Sequence, residues 1–211
     1  MIGDSEENSM SEIVITSDST CDLSPELLSS RGIGIYPLSV MLGAKSFRDG
    51  IDIVPQDIFR YFDETGQLPK TAAPSTEEYA EFFKKFVDEG KTVIHFNISS
   101  KASGSYSFAD AAAKRFDGKV FAVDTHALST GQGLLVMKAC DMRDEGKSAQ
   151  EIYDTVLSLR DKKVRREEQE YIVEGVKQVR EAAAAGCSFS LLVYAESFAG
   201  ERLFPDLSQT V

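Results

Sequence analysis

The chain is 211 residues long, 42% hydrophobic and 27% charged, with a net charge of −11. It is long enough to bury a sizeable core, and its negative charge disfavours a broad grip on nucleic acid or on an anionic membrane. Three scattered cysteines, Cys21, Cys140 and Cys187, form no CxxC pair and point to reduced thiols in the cytosol, and no apolar run approaches the ~18 residues of a membrane span.

Residues 1–11 are acidic and polar, without the basic and apolar parts of a signal peptide, and read as a disordered lead-in. "EIVITSD" (12–18) is a β-branched run and predicts a buried strand. "SPELLSSRG" follows as a short helix, with Ser24 as N-cap and Pro25 at the first helical position. "GIGIYPLSVML" is extended. "VPQDIFRYFDETG" is helical, with Ile58, Phe59 and Phe62 on one side. "LPKTAAPSTEEY" begins as an exposed loop stiffened by Pro69 and Pro74. The next helix, "STEEYAEFFKKFVDEG", repeats Tyr79, Phe82, Phe83 and Phe86 at intervals of three and four and closes at Gly90. Then come a strand, "TVIHFNI", a helix over about 104–116, a strand, "KVFAVDT", and a long helix over about 129–145. "KSAQEIYDTVLSLRDK" is another helix, opened by the capping box of Ser148 and Glu151. A basic run, "DKKVRR" (161–166), reads as a solvated helix end. Beyond it lie a charged helix from near residue 167 that ends in "EAAAAG" and one apolar strand over 189–195. Alternating strands and helices predict a Rossmann-like three-layer α/β sandwich around a mainly parallel sheet, whose ligands gather at the carboxyl ends of strands.

Four of those strand ends are rich in small polar residues. In "ISSKASGSYS" (98–107) five of the ten residues are serines. The free N–H groups and positive dipole end of a helix starting there stabilise an anion, and Ser and Gly let a carboxylate or phosphate come close. Plain N-capping by Ser103 accounts for the same residues equally well. Thr71 offers a hydroxyl on its stiff loop, although alone it is better read as a surface threonine. Asp18 and Asp22 flank the turn after the first strand, where phosphotransferases place an Asp; their spacing of four is not that of the haloacid-dehalogenase signature, and Asx-turns and capping explain both. Asp124 and Thr125 end a strand ahead of Gly131 and Gly133, which imply close packing in a helix, but no GxGxxG is present because Val136 stands at its last position. His126 reads as a capping or solvent residue and His95 as a satisfied core residue. The chain contains no GxxxxGK[ST], GxSxG or HExxH motif, and no Cys/His cluster with metal spacing. The pattern favours cradling a small anionic head group over bond-breaking chemistry.

Five segments in register, "VITSDSTCDLSPELLSSRGIGIYPLSVML", "FRDGIDI", "LPKTAAPSTEEYAEFF", "ISSKASGSYSFADAA" and "VDTHALSTGQGLLV", resemble the DegV family of bacterial fatty-acid-binding proteins. The resemblance runs over about residues 13–159, which makes 12–161 a DegV-like α/β domain and 162–211 a diverged or truncated segment, with a short or incomplete second subdomain. It implies a long-chain fatty acid held in a slot between two subdomains, its carboxylate presented to a separate kinase subunit that makes an acyl phosphate for phospholipid synthesis. It also implies carboxylate contacts from Thr71 and Ser103; the Gly104 N–H is expected beside them, with Ser19, Ser105 and Asp18 as secondary candidates. The chain departs from the family in Ala72 and Ala73, where Ser-Gln is usual, and in Ala102, where leucine is usual. After about residue 162 nothing corresponds to the family's "YLRKGGR"-like turn or to its late histidine.

The expectation is therefore a cytoplasmic lipid carrier without enzymatic activity, cofactor or metal. Its partners are a fatty acid and a kinase, with no nucleic acid and no stable membrane insertion. Two alternatives stand beside it. One is an enzyme on a related fold, a phosphotransferase using Asp18 or a serine acyl hydrolase using Ser103. The other is a degenerate interaction module that binds no lipid.

Overall fold

The computed structural model describes residues 12–159 and 176–188. In chain order they form β1 (Ile13–Asp18), α1 (Pro25–Ser30), β2 (Gly34–Tyr36), β3 (Ser39–Leu42), β4 (Lys45–Arg48), α2 (Pro55–Thr65), β5 (Lys70–Ala72), α3 (Thr76–Val87), β6 (Thr92–Asn97), α4 (Ser105–Ala113), β7 (Val120–Asp124), α5 (Thr130–Asp144), α6 (Ala149–Ser158) and α7 (Val176–Ala184). Local chemistry starts several of the helices. Ser24 accepts the Leu27 N–H ahead of Pro25, and Ser75 and Ser148 form capping boxes with Glu78 and Glu151.

The main sheet has the order β2-β1-β6-β7, and every pairing is parallel. Strands buried on both faces lose the exposure alternation of a half-exposed sheet, and β6 is buried at every position, its polar Thr92, His95 and Asn97 included. On one face Ile15, Ile94, Phe96 and Val123 pack under α5 and α6 through Val136, Ala139, Cys140, Ile152 and Val156. On the other, Val93 and Ala122 pack under α3 and α4 through Tyr79, Phe83, Ala109 and Ala112. These are the three layers that the sequence predicts. The chain leaves β1 for β2 on one side and returns to β6 on the other, so the order reverses between β1 and β6. Their carboxyl ends border the crevice that a doubly wound sheet leaves at such a point.

Local details differ from the sequence reading. Lys70–Ala72, expected as loop, is strand β5, antiparallel to β3 in a second sheet of order β4-β3-β5. Pro69 and Pro74 bracket this strand without interrupting its ladder. β4 has no counterpart in the sequence reading because "KSFR" carries one apolar side chain and shows no alternation. The helix expected over 104–116 is α4 followed by a separate 3-10 turn, Lys114–Phe116. The apolar side of α2 is not covered: Phe59 is 67% and Phe62 46% exposed. The expected lead-in at 1–11, the start of the charged helix near 167 and the strand at 189–195 lie outside the described residues; α7 falls within the span expected to be helical.

A candidate anion site at the carboxyl end of the sheet

β1 ends at the crevice in Asp18, which is fully buried. Its Oδ1 accepts from the Thr20 N–H (3.2 Å), the Thr20 hydroxyl (2.6 Å) and the Gln132 amide (2.8 Å), and its Oδ2 accepts from the Ile98 N–H (2.8 Å). Asp18 therefore clamps the start of the serine-rich segment after β6 to the end of β1, across the reversal point. Both carboxylate oxygens are engaged in holding the local backbone and the Gln132 amide, a structural role for this side chain. Ser19 turns the other way, and its Oγ accepts from the Leu38 N–H at 3.2 Å, tying the turn to the approach to β3.

Asp124 does at the end of β7 what Asp18 does at the end of β1. It accepts from the Ser100 N–H at 3.0 Å and the His126 N–H at 3.2 Å, and its other oxygen stands 3.1 Å from His126 Nε2. Burial pushes its pKa up, but these hydrogen bonds and the His126 ring hold it below the usual carboxylate range. The two carboxylates thus pin both ends of residues 98–100, and the chain that follows arrives at α4 in a fixed position.

Ser103, Gly104 and Ser105 are brought together at that helix start. Ser103 Oγ accepts the Ser105 N–H at 3.2 Å and lies 2.8 Å from Ser105 Oγ. Ser103 thus caps α4 by way of its side chain, while Gly104 occupies the N-cap position. A Cβ at Gly104 would meet the Phe108 ring at 3.3 Å, so glycine keeps the backbone open there. Ser105 itself is fully buried. Thr71 lies on exposed β5, opposite Val40, and among the described residues no hydrogen bond joins it to the serine turn.

Below the turn is a polar network that the sequence reading missed. His95, expected as a satisfied core residue, lies with Nδ1 2.9 Å from Thr16 Oγ1 and Nε2 3.2 Å from Asn97 Nδ2. The same Asn97 amide donates to the Tyr79 hydroxyl at 3.0 Å. Tyr79 falls in the aromatic stripe of α3 and reads from sequence as core alone; the one available signal was that a fully buried tyrosine needs a partner for its hydroxyl. Burial, followed by the nearby Asp18 charge, drives the phenol pKa well above its ordinary value, so it stays protonated. Among the described residues no base is hydrogen-bonded to the Ser103 hydroxyl. Its side chain meets the two groups of Ser105, so the turn is suited to donating a hydrogen bond and lacks what a nucleophile requires.

Hydroxyls and a helix N-terminus beside the reversal point of a parallel sheet make up the kind of place where a small anionic group is stabilised. The chain belongs to the DegV family, whose profile, described as "Uncharacterised protein, DegV family", matches residues 12–165. A DegV domain-containing protein of Clostridium acetobutylicum is 36% identical over 149 residues, 70% of this chain and 53% of the relative. The solved structure of a DegV family protein from Thermus thermophilus, described as fatty acid binding, has TM-score 0.66 and 34% identity over 74% of this chain and 54% of its own. A stearic acid-binding protein from Eubacterium ventriosum gives TM-score 0.63 and 33% identity over 71% and 53%. DegV of Bacillus subtilis, at 19% identity and TM-score 0.67, shares the fold over 94% of this chain. The chain spans about half the length of the curated relatives it matches. A second profile, described as an MRM3-like substrate binding domain, matches residues 154–209, most of which lie outside the described residues.

Proposed function

We propose that this chain binds a long-chain fatty acid and holds its carboxylate at Ser103, Gly104 and Thr71 for phosphorylation by a separate kinase subunit in phospholipid synthesis. The observation that carries the reading is the turn at Ser103, a hydroxyl beside the N-terminus of α4 with no base to activate it. A carboxylate receives hydrogen bonds there and is not attacked. The fatty-acid-binding descriptions of relatives at 33–34% identity support the choice of ligand. Each buried methylene contributes roughly 0.8 kcal/mol, so the acyl chain supplies most of the affinity and the head group needs few contacts. The chain itself has no catalytic part in this scheme; it acts in the cytosol, and the phosphoryl transfer belongs to the kinase.

Native mass spectrometry of protein purified from a bacterial host should reveal a co-purifying fatty acid. Ser103→Ala should weaken palmitate binding about 10- to 100-fold, the worth of one charge-assisted hydrogen bond. Adding a fatty-acid kinase subunit and ATP should yield acyl phosphate from the loaded protein. Magnesium-dependent turnover of a phosphate ester by the chain alone, with no bound acid, would favour a phosphotransferase instead.

A further inference from the structure

A hydroxyl and a helix N-terminus in open water gain little from an anion, because each new hydrogen bond replaces one to solvent. The same groups hold an anion better where apolar side chains keep water out. The body built on the main sheet supplies two such side chains. Among the described residues its only exposed large hydrophobics are Phe108, 43% exposed, and Leu128, 53% exposed. The others, Ile51, Val54, Phe59, Phe62 and Leu68, all fall between β4 and β5 in the sequence. Single exposed apolar residues are ordinary on a protein surface. Here both border the same turn.

Phe108 lies one turn into α4, where its N–H meets the Gly104 carbonyl at 3.3 Å. Side chains on a helix lean toward its N-terminus, and this ring does so: two of its edge carbons lie 3.3 and 3.8 Å from where a Gly104 Cβ would be. It therefore covers the start of α4, beside the residue that follows Ser103. Leu128 arrives from the other side. The residue before it, Ala127, accepts the Ser99 N–H at 2.9 Å, and the residue after it, Ser129, donates its N–H to the Thr20 carbonyl at 2.8 Å. Ser99 belongs to the segment after β6 and Thr20 to the turn after β1, so Leu128 is held on a loop that bridges the two sides of the crevice. The Ser99 carbonyl accepts the Ser103 N–H at 3.1 Å, which joins that loop to the head-group residue.

Resting on the fatty-acid reading above, we propose that Phe108 and Leu128 determine specificity by clasping the first methylenes of the acyl chain while its carboxylate sits at Ser103. An anion on an apolar chain covers both side chains and is itself shielded from water by them. Acetate or inorganic phosphate has nothing to lay against them and keeps its hydration. The exposed Phe and Leu are in this way the apolar half of a site whose polar half is the serine turn.

Both residues are exposed, so their substitution leaves the core intact. Phe108→Asn should weaken decanoate and palmitate binding by the same factor, about tenfold, the effect of leaving two methylenes in water. Phe108→Leu, apolar again, should stay within about threefold of the unaltered chain. Leu128→Asn should repeat the loss from the opposite side. Calorimetry at several temperatures supplies the readout that a displaced turn would not move: decanoate binding should show a less negative heat-capacity change in both asparagine variants, because less apolar surface leaves water. Acetate and inorganic phosphate should not displace decanoate from the unaltered chain. Undiminished affinity in both asparagine variants overturns the proposal. So does a loss confined to palmitate, which would put these side chains at the far end of the acyl chain, and so does a loss with unchanged heat capacity. If the unaltered chain binds neither acid, or Ser103→Ala leaves both affinities unchanged, the fatty-acid reading of the site fails and this inference falls with it.

Discussion

His95 is walled in by Tyr79, Phe82 and Phe83, with ring centroids 5.1–5.9 Å away, and its two nitrogens meet only the neutral side chains of Thr16 and Asn97. Nothing there compensates a positive charge, and desolvation holds its pKa down to about 3. The unfolded chain would titrate the same residue near ~6.5, so between the two values the unfolded state binds a proton that the folded state refuses. Its contribution to stability is full above the unfolded value and is lost as pH falls toward the folded one. Urea unfolding should therefore show stability falling by about 1–2 kcal/mol between roughly pH 6.5 and pH 5, and His95→Gln should remove most of that slope. The carboxylates held low, Asp52 and Glu78 among them, titrate below this window, and burial moves Cys21 and Cys140 above it. A flat profile would mean that the core admits the charged ring. The burial of His95 was legible from its place in an apolar run. Its polar partners were not, because Thr16 comes from a neighbouring strand and the Asn97 amide is shared with Tyr79 on another element.

Gly133 shows how an element is fitted to its neighbour. A Cβ there would stand 2.8 Å from the Cys21 carbonyl oxygen and 3.0 Å from Leu23 Cδ2. The glycine lies inside α5, where alanine is favoured by about 1 kcal/mol. Overpacking against a backbone atom costs about 1–3 kcal/mol. The second effect outweighs the first, so Gly133→Ala should lower unfolding free energy by about 1 kcal/mol in denaturant titration. A stabilised variant would show that the turn after β1 gives way easily. The sequence predicts tight packing at the glycines of this helix, and at Gly133 the structure names the partner as the Ser19–Cys21 turn and the Leu23 beyond it. Strand β5 was illegible for the opposite reason: "KTA" has no pattern of its own and becomes a strand only because β3 supplies a ladder.

At the scale of the molecule, the chain covers about half of the curated relatives it matches and 54% of the Thermus thermophilus protein. An acyl chain on this 211-residue chain taken by itself should be less enclosed. If two methylenes stay in water, palmitate should bind about tenfold more weakly than to that relative when both are measured side by side. Equal affinity would show that this chain closes the slot unaided. The exposed rings of Phe59 and Phe62 on α2 agree with a surface that is uncovered in the isolated chain. The sequence by itself determined the layered α/β class, the capped helix starts and the hydroxyl-rich strand ends, because each depends on residues a few positions apart in the chain. Only the tertiary structure decided the strand order, and with it the pairing of the β1 end with the β6 end that turns Asp18 into a clamp for Ile98. It also decided the buried polar chain from Thr16 through His95 and Asn97 to Tyr79. Those facts depend on which distant segments meet, and neither propensity nor periodicity carries that information.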